Sequence, residues 1–186
     1  MGDKIKITCC AKTRTYPAGV TLESVARDFC SEYEGNIILA KVGGKLKELF
    51  KRVKNDCSVE FITTGEKIGY QTYTRTATML MTKAVEDVIG KGSEKNVSVY
   101  YSLGKGLYCE FHSHIHLDSE LLSRIKKRMD ELVIMDLPIR KRTISTDEAI
   151  KIFHNAHMTD KENLFRYRRA SKVNIYSLDG MEDYNY

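Results

Sequence analysis

The sequence predicts an α+β chain in two parts, a small sheet folded over one helix and a longer α/β region after it. Two observations predict the first part. Residues 5–9, 37–42 and 58–62 read as strands, and a single helical stripe lies between the first and second of them. Strands and one helix packed into about 60 residues fit one sheet layered on one helix. The third observation is the boundary. Gly65 and Gly69 interrupt the pattern as a short linker at 63–69, which divides the chain into units 1–64 and 65–186.

In order along the chain, Ile5, Ile7 and Cys9 alternate with Lys6 and Thr8, and Tyr16-Pro17-Ala18-Gly19 turns the backbone before Thr21, which reads as a hairpin. Thr21 is a helix N-cap, because its hydroxyl can accept from an unpaired amide of the first turn. Leu22, Val25, Ala26, Phe29 and Cys30 then recur at helical spacing and form one apolar stripe. Ile37–Val42 is a buried strand, Gly43-Gly44 supplies a turn, Lys45–Leu49 resumes the alternation, and Ser58–Ile62 closes the sheet. This layout is a β-grasp.

The second part opens on a helix marked by Ala77, Leu80, Met81, Ala84, Val85 and Val88, ending near Gly90. Val97–Tyr101 and Leu107–Phe111 flank Gly104-Lys105-Gly106 as a hairpin. Asp118 caps a long helix carrying Leu122, Ile125, Met129, Leu132 and Val133, which stops before Pro138. Ile139–Ile144 is a strand and Ser145-x-x-Glu148 a capping box ahead of Ala149, Ile152 and Phe153. A short helix at 161–166 precedes the strand Val173–Tyr176, and the chain reaches Tyr186 in another extended segment.

Composition narrows the class. A 42% hydrophobic content with 2 Pro and 12 Gly supplies real cores, and the mixed surface, 30 basic against 25 acidic residues, leaves a net charge of +5 that permits an RNA partner without requiring one. Five cysteines without a CxxC pair, and an N-terminus without an apolar leader, predict reduced thiols and a cytoplasmic location. Apolar runs are too short to span a bilayer, so no membrane partner is expected.

Tyr16-Pro17-x-Gly19-x-Thr21, the helix after it, Ala40-Lys41-Val42-x-Gly44, Leu49 and Asn55-Asp56-x-x-Val59-Glu60-Phe61 together resemble a TGS domain, the ubiquitin-like β-grasp unit of threonyl-tRNA synthetases, stringent-response nucleotide synthetases and some GTPases. Residues 70–186 are similar to the editing-type second domain of threonyl-tRNA synthetase, through the frame Arg75–Val85, through Gly106–Phe111, and through Leu137-Pro138-Ile139 with Ile144-Ser145-x-x-Glu148-Ala149. The resemblance implies a metal site built on a His-x-x-x-His pair of that helix and a later Cys and His. Here Arg75 and Met79 stand at the pair and Asn185 near the Cys; an arginine cannot ligate and a thioether is a poor zinc ligand, so no catalytic, cofactor or metal residue is expected.

The same two domains, with the same losses, resemble the N-terminal region of bacterial uridine-kinase-like nucleoside kinases. That resemblance implies a regulatory or ligand-sensing module attached to its own C-terminal P-loop catalytic domain, a transferase using ATP and Mg, since no GxxxxGK[ST] loop occurs in this chain. The alternative it leaves open is a tRNA- or RNA-binding appendage of a synthetase-like protein, the partner being a small ligand, a nucleotide or tRNA.

Four further groups carry chemistry. His112, His114 and His116, with Cys109 nearby, form an alternative metal set, against a plain solvated loop. Cys9-Cys10 is a potential redox pair, against two inert small residues. Lys45, Lys47, Lys51, Arg52 and Lys54 around Phe50 suit RNA phosphates, against a solvated face. Arg166, Arg168 and Arg169 with Tyr167 suit bases or a phosphate, against pairing with Asp160, Glu162 or Asp183.

Overall fold

The computed structural model describes residues 3–184 except Lys105 and Ser113, with Glu94 and Lys95 described by backbone alone. The chain is mixed α/β and divides into two compact units, Met1–Thr74 and Arg75–Tyr186.

In the first unit β1 (Lys4–Cys9), β2 (Lys12–Pro17), β4 (Ile37–Val42), β5 (Lys45–Glu48) and β7 (Cys57–Thr63) form a five-stranded sheet in the order β2-β1-β7-β4-β5. The central pair β1 and β7 is parallel, with Ile7 opposite Cys57, and the other pairs are antiparallel. Two short strands that the periodicity does not announce, β3 (Val20–Thr21) and β6 (Arg52–Val53), pair Val20 with Val53. Helix α1 (Leu22–Phe29) starts where the Thr21 hydroxyl accepts from Ser24 N at 3.2 Å. Its stripe Leu22, Val25, Ala26 and Phe29 is buried against Ile5, Ile7, Ala40, Val59 and Phe61, whereas Cys30 lies beyond the helix and is exposed.

The hairpin differs from its expected form. The β1–β2 turn is Cys10-Ala11, with φ of 50° and 60°, and Tyr16-Pro17 belongs to β2. A two-residue turn of this type ordinarily uses Asn-Gly, so Cys-Ala gives no signal. Gly43-Gly44 (φ 56° and 76°) makes the β4–β5 turn as the sequence predicts. Residues 67–69, expected as linker, are the first turn of α2 (Lys67–Ile89). Gly69 sits so tightly that an added Cβ would fall 1.9 Å from the Thr63 carbonyl oxygen.

The second unit holds most of α2, the hairpin β8 (Val97–Leu103) and β9 (Gly106–Phe111), α3 (Ser119–Ile134), β10 (Arg140–Ser145), α4 (Thr146–Asn155), α5 (Thr159–Arg166), β11 (Lys172–Leu178) and β12 (Met181–Asp183). Antiparallel pairing gives a β10-β11-β12 sheet and a separate β8-β9 ribbon. Asp118 caps α3 by accepting from Leu121 N at 2.8 Å. Of the expected stripe on α3, Ile125 and Leu132 are buried and Met129 packs against them, but Leu121 is buried in place of Leu122, and Leu122 and Val133 are half or more exposed. Ser145 caps α4 by accepting from Glu148 N at 3.1 Å, while Glu148 turns its carboxylate to Arg142. Phe153 and Phe165, stacked at 5.4 Å, hold α4 and α5 together over Val173 and Ile175.

Candidate functional site

In the first unit, β5 is an outer strand of the sheet; it carries Lys45 and Lys47, and the segment after it carries Lys51, Arg52 and Lys54. Its backbone is fixed rather than loose: Leu22 N donates to Lys51 O at 2.9 Å and Glu23 N to Leu49 O at 2.8 Å, so the start of α1 pins the loop. Arg52 donates to Gly19 O at 2.8 Å, tying the next residue to the β3 turn. Phe50 and Leu46 are each about half exposed, and the Lys51 ammonium lies 4.9 Å over the Phe50 ring. Among the described residues Lys45, Lys47, Lys51 and Lys54 make no ion pair. Unpaired ammonium groups on a pinned backbone, near an exposed ring, can hold phosphates and stack a base. The five cations fall within ten residues of one another, which is why they are visible in the sequence.

In the second unit a cavity of about 520 Å³ opens between α2, β8, the start of α5 and β12. Thr78 and Thr82, one turn apart, line it from α2, Asn96 from the turn just before β8, and Ser98 from β8. From the other side come His157, Asp160, Lys161 and Asp183, with the Lys161 ammonium donating to Asp183. The first turn of α5 borders the cavity without a side-chain cap from Met158. Thr82 is buried and donates to the Met79 carbonyl at 2.9 Å. This lining offers hydroxyls, an amide and a neutralised ion pair, which suits hydrogen bonding to a small polar ligand.

The α2 positions singled out by sequence are separated. Met79 is 2% exposed and packs with Leu178 and Met181 as core, whereas Arg75 is exposed. Thr78 and Thr82, which the sequence reading passed over, carry the polar face; two threonines one turn apart are the only signal it offered. Asn185 lies outside the described residues. Cys109 is exposed on β9, where burial of its sulfur nonetheless pushes the thiol pKa up. His112 Nε2 lies 3.4 Å from the Tyr100 hydroxyl and 3.7 Å from Glu110, and His114 and His116 are exposed. Among the described residues no three His, Cys, Asp or Glu side chains gather as a metal site. Arg166 pairs with Glu162 at 2.5 Å, and Arg168 hydrogen-bonds Tyr184 and lies 5.2 Å over its ring, so two of the three arginines near Tyr167 are engaged. No described helix is long and apolar enough to cross a membrane.

With this geometry in hand, the chain is 30% identical over 141 residues to threonine–tRNA ligase of Marinobacter nauticus, covering 76% of this chain and 22% of that protein. Threonine–tRNA ligase of Thermotoga sp. (strain RQ2) matches at 27% over 166 residues, 89% of this chain and 25% of the ligase, and that of Pelobacter propionicus at 26% over 170 residues, 91% and 26%. The chain carries a threonyl-tRNA-synthetase-like region. It spans about a quarter of the length of these relatives. No family model matches it. The synthetase-like matches cover segments of both units, and they support the synthetase side of the expected resemblance; a nucleoside-kinase parent has no support among these relatives.

Proposed function

We propose that the chain is a non-catalytic RNA-binding appendage of a synthetase-like protein, with tRNA as its partner. On this reading residues 1–64 are a TGS-type β-grasp domain and 65–186 an editing-type domain whose metal ligands are replaced. The observation that carries it is the pinned row Lys45, Lys47, Lys51, Arg52 and Lys54 around exposed Phe50, in a chain whose relatives are tRNA ligases. The α2 chemistry supports the non-catalytic part. Where the resemblance implies two histidines, the chain has an exposed cation and a core thioether, and neither activates water.

The test is tRNA binding to the whole chain, followed by fluorescence anisotropy over a salt series. Each phosphate contact adds about 0.7–0.9 to the slope of log affinity against log salt. Lys47→Glu with Lys51→Glu is expected to weaken binding at least tenfold and to lower that slope by about 1.4 to 1.8. Unchanged affinity in the double variant, or no binding by the unsubstituted chain at low salt, overturns the proposal. Turnover of a mischarged tRNA by the purified chain would overturn its non-catalytic part.

A further inference from the structure

The β1–β2 turn places two cysteines side by side in unlike surroundings. Cys9, the last residue of β1, is 2% exposed, and Cys10 is exposed in the turn. Their sulfurs lie 3.8 Å apart, and the Cys9 sulfur is also 3.3 Å from the Tyr33 hydroxyl. That hydroxyl in turn accepts from Phe61 N on β7 at 3.1 Å. An accessible thiol with a buried thiol already against it is the arrangement in which one sulfur meets an oxidant and the other traps the product.

We propose that Cys9 and Cys10 are a reversible redox pair, closed by peroxide into a vicinal disulfide. The Cys10 thiolate attacks one peroxide oxygen; the O–O bond breaks, the departing hydroxide takes a proton and leaves as water, and Cys10 becomes a sulfenic acid. The Cys9 sulfur then attacks the Cys10 sulfur, the S–O bond breaks, and the hydroxyl leaves with the Cys9 proton as a second water. Two thiols and one peroxide give one disulfide and two waters. The oxidant never has to reach Cys9, so burial protects it from direct attack without preventing the second step. Burial pushes the Cys9 thiol pKa up, although the Tyr33 hydroxyl bond partly opposes this, and contact between the two sulfurs offsets the smaller thiolate fraction.

The bond is expected to reopen easily. Adjacent Cα atoms across a trans peptide are about 3.8 Å apart, shorter than the roughly 4.4–6.8 Å of ordinary disulfides, and a strained disulfide is the more readily reduced.

Trypsin releases Ile7–Lys12, a peptide holding these two cysteines and no other. After hydrogen peroxide treatment of the reduced chain, that peptide is expected to lose two hydrogens, resist alkylation, and recover both thiols with dithiothreitol. In the Cys9→Ser chain Cys10 should accumulate oxygen instead. In the Cys10→Ser chain Cys9 should survive as a thiol. The proposal is overturned if the unsubstituted peptide gains oxygen as fast as in Cys9→Ser, or if it crosslinks to Cys30, Cys57 or Cys109. It is equally overturned if both thiols persist while exposed Cys30 and Cys109 oxidise.

Discussion

The two units are held together by different means. The first has one continuous core, in which the α1 stripe meets the inner face of a five-stranded sheet. The second divides its apolar residues among three smaller clusters and adds an ion network around one buried lysine. Lys83, 6% exposed, pairs with Glu86 at 3.0 Å and Asp87 at 2.9 Å and lies 3.8 Å from Asp179 in the β11–β12 turn, while Arg128 of α3 holds Asp87 at 2.8 Å. A single core makes one unit depend on its largest side chains. Divided clusters leave gaps between elements that charge must bridge, and those bridges respond to pH.

The largest effect expected is in the first unit. Phe29→Ala empties a fully buried site at the junction of α1 and the sheet and should cost about 3–5 kcal/mol, seen as a shift in the denaturant midpoint. A loss below about 1 kcal/mol would mean that the single-core description is wrong. For the second unit the matching variant is Lys83→Met. It leaves Glu86 without its cation and Asp87 with Arg128 alone, and should cost about 1–3 kcal/mol, the cost of partly desolvated charged groups that lose a hydrogen-bonding partner. Hydrogen exchange should localise each loss to its own unit.

How far the comparison was legible from the sequence differs between the units for the same reason. In the first, α1 and the strands follow from simple periodicity, since one face of each meets one core. The Cys10-Ala11 turn was not legible, because its positive φ values fall on residues that do not favour them. In the second unit the elements were readable but their inner faces less so. Leu122 and Leu121 are equally apolar, and only tertiary packing decides that Leu121 is the one inside. The basic row at 45–54 was visible because its members are neighbours in sequence. The Thr78 and Thr82 cavity was not, because its walls come from α2, β8, α5 and β12.

Acid and alkali should sharpen the contrast. Burial pushes the Asp87 carboxyl up, but hydrogen bonds from Lys83 and Arg128 outweigh it and hold its pKa below the ordinary value of 3.8. Its stability contribution is therefore present above pH 3.8 and is lost as pH falls through the lower folded value. Burial lowers Lys83 but its bonds to Asp87 and Glu86 raise it further, so that contribution is lost only above pH 10.5. In the first unit burial, with the bond to Asp28, pushes the Tyr16 hydroxyl to about 12, so stability there declines as pH rises from 10 toward 12. Exchange rates measured across pH should find the second unit loosening first in acid and the first unit loosening first in alkali. The reverse order would break the assignment.

The smallest effect tests the ends of the helices. Thr21→Ala and Asp118→Ala each remove one N-cap and should each cost about 1 kcal/mol, nearly the same in the two units, because a cap acts on its own first turn whatever core lies beneath. Unequal losses in thermal melts would show that core architecture reaches the helix ends.

Gly69 inverts what a glycine usually says. At Gly43 and Gly44 an added carbon would meet nothing, and the constraint is the backbone angle alone. At Gly69 the space is what is missing, because the Thr63 carbonyl that an added carbon would strike belongs to the main chain and cannot swing aside. Where the sequence reads as slack between two units, the molecule has a position with an alphabet of one letter. A library randomised over 63–70 would return many residues at exposed Glu66 and Ile68 and glycine alone at 69.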